Sequence, residues 1–227
     1  MQKISRLKIA IGLALAGILI VSGTIFFSYR KSQTICQYAK SHLGYGKSDV
    51  DAASQIVFLG DSIIRFEDWN VLFEISSSVN AGISGDTTDG ILKRLSSVIS
   101  SQPKKIFLMI GINDLLNGKD VVYAIGNYAT ILDRIKTESP DTKVYVQSVL
   151  PINNDVLKSE TANNEKVKAL NEQLELLANE RGMVFVNLYP AFAGTDDKMP
   201  RKYSWDGLHP NSHGYEIWKG IIFQYIY

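Results

Sequence analysis

Beyond residue 55 the chain alternates between two hydrophobic periods. Short continuous apolar runs rich in Ile, Val, Leu and Phe fall at residues 56–59, 106–110, 144–149 and 183–187, with a weaker one near 78–80. Between them, apolar residues return at three- and four-residue spacing. Ile125, Tyr128, Leu132 and Ile135 share one helical face, as do Val167, Leu170, Leu174 and Leu177 in a segment closed by Gly182. Tyr215, Trp218, Ile222 and Tyr225 repeat the pattern at the C-terminus, although IIFQYIY alone also reads as a strand. Unbroken apolar strands separated by amphipathic helices imply a parallel sheet covered on both faces. The expectation is one three-layer α/β/α domain over residues 54–227, built on a five-stranded parallel sheet.

The start of the chain follows neither period. Residues 9–29, between Lys8 and Arg30, carry no charge. As a helix they would span roughly 31 Å, about the thickness of a bilayer core. A secretory apolar region is usually shorter, about 7–15 residues, and VSG, ending at Gly23, is a weak cleavage context. The reading is a short cytoplasmic tail and transmembrane signal anchor over residues 1–31, then a polar tether over 32–53 with a short helix around 34–43. The first 31 residues hold five of the 24 basic residues and none of the 23 acidic ones. That bias favours a cytoplasmic N-terminus and an extracytoplasmic domain held at the membrane, or secreted if the segment is cleaved. It also leaves the rest of the chain net acidic, with no basic stripe for a phosphate backbone, so nucleic acid is not an expected partner. Cys36 is the only cysteine, which rules out an intrachain disulfide; SQTI before it lacks the small residues of a lipidation site, so it reads as an incidental thiol.

In an open parallel sheet, ligands bind beyond the carboxyl ends of the strands. The residues there read GDS (60–62), NAGISGDTT (80–88), GIND (111–114), LPINN (150–154) and, later, WDGLHPN (205–211). Gly-Asp-Ser alone is turn chemistry. At the end of a strand it also presents Ser62 as a candidate nucleophile. A serine hydroxyl needs a base, and histidine is the usual one near neutral pH. His42 falls in the tether. His213 follows Asn211-Ser212, a helix-cap pattern, and reads as a surface helix position. His209 stands in a Gly/Pro-framed loop three residues after Asp206, a spacing that lets the carboxylate hold one ring nitrogen while the other faces Ser62. An oxyanion formed by attack would need donors in place. The Ser62 N–H at a helix start, the Gly85 N–H and the Asn113 amide are candidates. Taken singly, Gly85 is also a turn before a helix capped by Asp86, and Asn113 an Asx turn holding its own loop.

Taken together, FLGDSI, NAGISGDTT, GIND and DGLHP, in this order, resemble the four sequence blocks of the SGNH or GDSL hydrolase family over the whole of residues 54–227. The resemblance implies a flavodoxin-like fold and no metal or organic cofactor. It implies Ser62 as nucleophile, His209 as general base and then acid, Asp206 as its orienter, and an oxyanion hole from Ser62, Gly85 and Asn113. QSVLPINN and NEQLELLANERGMVFVNLYP also resemble the subgroup of platelet-activating-factor acetylhydrolase catalytic subunits and bacterial acylhydrolases. Asp61, Asp86 and Asp114 read as structural carboxylates.

The expected activity is a carboxylic ester hydrolase acting on a small-molecule, lipid or carbohydrate ester, either O-acetyl or lipid acyl. An O-acyltransferase acting on envelope carbohydrate would use the same residues. A non-catalytic lipid- or carbohydrate-binding module is the reading from another class, and the intact Ser, His and Asp speak against it. Residues 63–74, 153–163 and 191–205 are the expected substrate loops, with Phe66, Trp69, Phe73, Tyr203 and Trp205 as pocket candidates and about two thirds of such aromatics expected to be plain packing.

Overall fold

The structure is a computed structural model describing residues 55–227. The predicted tail, signal anchor and tether, residues 1–53, lie outside the described residues. Among those described, no helix is long and apolar enough to cross a membrane.

Five parallel strands form the sheet: β1 (Ile56–Gly60), β2 (Ser78–Gly82), β3 (Lys105–Met109), β4 (Lys143–Gln147) and β5 (Val184–Val186), in the order β2-β1-β3-β4-β5. β1 is buried along its whole length, as a central strand covered on both faces must be. β2 and β5 are edge strands, half-exposed, which explains why 78–80 gives a weak apolar signal. The strands sit within one or two residues of the expected runs.

The helices divide between the two faces. On one side α3 (Thr88–Ile99), α5 (Val121–Glu138) and α7 (Asn164–Glu180) pack in series, and the expected face of α7 is wholly buried. On the other, α2 (Trp69–Phe73) packs against α9 (Ser212–Ile226). IIFQYIY is therefore helical: Trp218, Ile222 and Ile226 bury one stripe, and Lys105 Nζ donates to the terminal carbonyls of Tyr225 and Ile226 at 2.8 and 2.9 Å. Short helices α1 (Ser62–Arg65), α4 (Ile112–Leu116), α6 (Asn154–Leu157) and α8 (Tyr189–Phe192) follow strand ends or sit in their loops.

Beneath α2 and α9 runs an aromatic ladder. Register places Phe58 on β1 beside Phe107 on β3, and Phe107 beside Tyr145 on β4. Their rings stack at 5.1 and 4.6 Å between centroids, and Trp69 lies flat on Phe58 at 4.1 Å. Trp69 and Phe73 are each 1% exposed, so both belong to this core and not to a substrate pocket. The correction has a simple cause. Their four-residue spacing puts both on the face of α2 that packs on Phe58 of β1. Phe58→Ala would empty the centre of the ladder and is expected to cost about 3–5 kcal/mol of folding free energy, measured by urea denaturation.

Candidate active site

The strand order sets where the site lies. β1 connects outward to the edge strand β2, and the chain then crosses back past β1 to β3, so a crevice opens beyond the ends of β1 and β3. Ser62 stands two residues past the end of β1 and is the first residue of α1. Asp61 caps that helix, its Oδ1 accepting from the Ile63 N–H at 2.9 Å. Asn80 on β2 pins the other end: its amide donates to the Ile64 and Glu67 carbonyls at 3.0 and 2.8 Å, and its oxygen accepts from the Gly82 N–H. As the first residue of a helix, Ser62 has a backbone N–H without an intrahelical acceptor.

After β2 the chain makes a tight turn closed by Asp86 N–H donating to the Ile83 carbonyl, and Ile83 N–H donates to the Gly60 carbonyl at the end of β1. Gly85 takes φ +77° within this turn, a conformation that disfavours any side chain. The cap of α3 is Thr87, whose hydroxyl accepts from the Gly90 N–H; Asp86 is turned elsewhere. Asn113, on α4 after β3, donates its amide to the Asp86 carbonyl at 2.8 Å, a bond between two loops and not a local Asx turn. Asp114 holds the same pair of loops together by accepting from both the N–H and the hydroxyl of Thr88, at 3.0 and 2.6 Å. The loops carrying Ser62, Gly85 and Asn113 are thus laced at one end of the sheet.

The loop before α9 completes the group. Ser204 and Pro210 bridge its two sides, and the Asn153 N–H donates to the Gly207 carbonyl at 2.8 Å, tying it to the loop after β4. Asp206 divides its oxygens. Oδ1 accepts from the Ser204 hydroxyl and from the Leu208 and His209 N–H groups at 3.1, 2.9 and 2.8 Å. Oδ2 is left for His209 Nδ1 at 2.7 Å. His209 Nε2 then stands 2.8 Å from Ser62 Oγ. Burial alone would raise the Asp206 pKa, but the bonds from the His209 ring, the His209 N–H and the Leu208 N–H outweigh it and hold the carboxyl at about 2.

His213 lies exposed on α9, as expected, against the Tyr203 ring. Of the pocket candidates, Phe66 lies with its ring 5.0 Å from that of His209 and is 58% exposed, and Trp205, 77% exposed, directly precedes Asp206. Tyr203 packs on Phe192. Asn80, Thr88 and Ser204 were not foreseen. Each acts by a long-range or turn-specific bond to a backbone or carboxylate, and nothing in residue type or period marks such a bond. No group of three or more His, Cys, Asp or Glu side chains is arranged to hold a metal among the described residues.

Residues 58–217 match the model of the GDSL-like lipase/acylhydrolase family. The chain belongs to that family. It is a carboxylic ester hydrolase whose relatives resemble platelet-activating-factor acetylhydrolases. The bovine (Bos taurus) platelet-activating factor acetylhydrolase IB subunit alpha1 is 27% identical over 174 residues, 73% of this chain and 72% of the relative. A solved Streptococcus pneumonia protein, described as a candidate platelet activating factor, is 28% identical with a TM-score of 0.74, covering 91% of this chain and 99% of its own. A GDSL-like lipase from Bacteroides thetaiotaomicron is 27% identical with a TM-score of 0.69, covering 84% and 95%.

Asp61 presents the opposite electrostatic case to Asp206. It is 1% exposed, and its Oδ2 has no hydrogen-bond partner. Burial, opposed by the Ile63 N–H and reinforced by the charges of Asp86 and Asp114, pushes its pKa up to about 7. A raised carboxyl pKa means the folded state prefers the protonated form, so this group's contribution to stability is present below about 3.8 and is lost as pH rises through about 7. Asp61→Asn keeps an acceptor for Ile63 and removes the titration. Urea denaturation at pH 4.5 and 7.5 is expected to show a smaller fall in stability with rising pH in the variant than in the parent.

Proposed function

We propose that the protein transfers the acyl group of an ester to water in two steps, with Ser62 as nucleophile. The observation that carries this reading is the 2.8 Å contact between Ser62 Oγ and His209 Nε2 across 147 residues of chain. With Asp206 accepting from Nδ1–H, the Nε2 lone pair faces the hydroxyl and takes its proton as Oγ attacks the ester carbonyl. The Ser62 and Gly85 N–H groups and the Asn113 amide stabilise the oxyanion. Collapse of that intermediate expels the alcohol, which leaves with the proton from His209. Water then attacks the acyl-serine, again giving a proton to His209, and the carboxylic acid departs as Ser62 recovers its hydrogen.

The apolar side of the ester is proposed to lie over Phe66 and Trp205, whose exposure beside His209 and Asp206 supports an acyl or lipid portion there. The charge-free run at residues 9–29 supports holding the domain at the extracytoplasmic face of a membrane. In fractionated cells the full chain is then expected with the membranes, released by detergent and not by salt.

Ser62→Ala is expected to lower kcat for p-nitrophenyl acetate by at least about a thousandfold without unfolding the domain. A fluorophosphonate probe is expected to label the parent at Ser62 and leave the variant unlabelled. A variant that retained its rate would remove Ser62 from the reaction. Rates across p-nitrophenyl esters from acetate to palmitate report the acyl preference.

A further inference from the structure

Arg94 lies on α3, outside the four motif blocks, yet its side chain reaches two of the loops that meet at Ser62. Nε donates to Asp86 Oδ2 at 2.8 Å, and a terminal nitrogen lies 2.8 Å from the same oxygen and donates to the Gly60 carbonyl at 3.1 Å. Both side chains are largely buried, at 19% and 9% exposure. An ion pair taken out of water is weak evidence for stability, because desolvation offsets much of the attraction. Its placement is the informative part. Gly60 ends β1 two residues before Ser62, and its carbonyl also accepts from the Ile83 N–H. Asp86 closes the Gly85 turn through its N–H and holds Asn113 through its own carbonyl. The bonds therefore run from the end of β1 through Arg94 to Asp86, and from Asp86 to both the Gly85 turn and the Asn113 amide.

A second observation concerns Gly90. A Cβ placed on Gly90 would lie 1.6 Å from Asp86 Oδ1. Gly90 sits inside α3, where glycine weakens a helix. A glycine here clears the space in which the Asp86 carboxylate folds over the helix to meet Arg94.

We propose that Arg94 is a positioning residue for the oxyanion-binding donors: by bridging the Asp86 carboxylate to the Gly60 carbonyl, it holds the Gly85 turn and the Asn113 amide in register with the start of the Ser62 helix. The inference rests on the reaction proposed above and extends it to a side chain that touches no substrate. Guanidinium geometry is required, since a lysine ammonium in the same place is a point charge without the fork that spans both acceptors.

The test uses the full chain, p-nitrophenyl acetate as substrate, and rates divided by the amount of Ser62 titrated with a fluorophosphonate. Removing a single oxyanion donor costs about 100- to 1,000-fold, so loosening two of them in Arg94→Ala is expected to lower kcat by about 10- to 100-fold, with KM changed less than about threefold. Arg94→Lys is expected to restore only part of the loss. Gly90→Ala leaves Arg94 in place but pushes the Asp86 carboxylate away from it; it is expected to lose kcat per titrated site as well, with the folded fraction checked by circular dichroism. In an Asn113→Ala background, Arg94→Ala is expected to cost less than it does alone, because the two substitutions disable the same donors.

A kcat per titrated site within about twofold of the parent in both Arg94→Ala and Gly90→Ala, or losses that multiply in the double variant, would overturn the role given to Arg94. Should Arg94→Ala fail to fold, Gly90→Ala decides the question alone. A parent without Ser62-dependent hydrolysis would instead overturn the reaction itself, and this inference with it.

Discussion

The hydroxyl of Ser62 and the imidazole of His209 meet at 2.8 Å although 147 residues separate them, and most of the structure is organised around that meeting. One group stands just past the end of β1, an interior strand, the other in the last loop before the last helix. Neither element could hold the contact unaided. The sheet provides a rigid origin for Ser62, because β1 is bonded on both sides and buried on both faces. His209 is placed by its own loop, which is closed on itself by Ser204 and Pro210 and fastened to the loop after β4. Reacting groups contribute fully only when pre-positioned, and a misplacement of about 1 Å can cost a hundredfold in rate.

Irregular backbone at a strand end leaves N–H and C=O groups without ladder partners, and buried ones must be satisfied. This chain meets that need with asparagine. Asn171 offers its amide to both the N–H and the carbonyl of Val149, and Asn164 does the same for Ile152, so the segment after β4 is bonded as though strand pairing continued. Asn80 gathers the carbonyls at the end of the Ser62 helix, and Asn113 joins the loop after β3 to the one after β2. The loops of the crevice thus carry their own hydrogen-bonded framework.

Two aspartates flank the Ser62–His209 pair in contrasting surroundings. Asp206 lies toward solvent and collects enough donors to keep its charge far below neutral pH. Asp61 is sealed from water with one oxygen unpartnered and is driven toward its neutral form. Burial alone would raise both; the number of donors each carboxylate receives separates them. The charged one faces the imidazole, where its charge stabilises the imidazolium formed in the proposed reaction, while the other serves as a helix cap.

The α/β alternation was legible because each strand and helix writes its period into the chain. Apolar runs mark strands covered on both faces, and residues such as Val167, Leu170, Leu174 and Leu177 mark one face of a helix. The motif blocks were legible for a similar reason: a glycine at positive φ and a small polar residue at a strand end are local demands on local sequence. Tertiary structure alone decided the partnerships. Trp69 and Phe73 look no different in sequence from Phe66 and Trp205, and only packing put the first two under the sheet and left the others beside the site. The same holds for Arg94 reaching Gly60 and for Ser204 holding Asp206, since a hydrogen bond depends on where two chain segments end up in space, and the identity of each residue leaves that open.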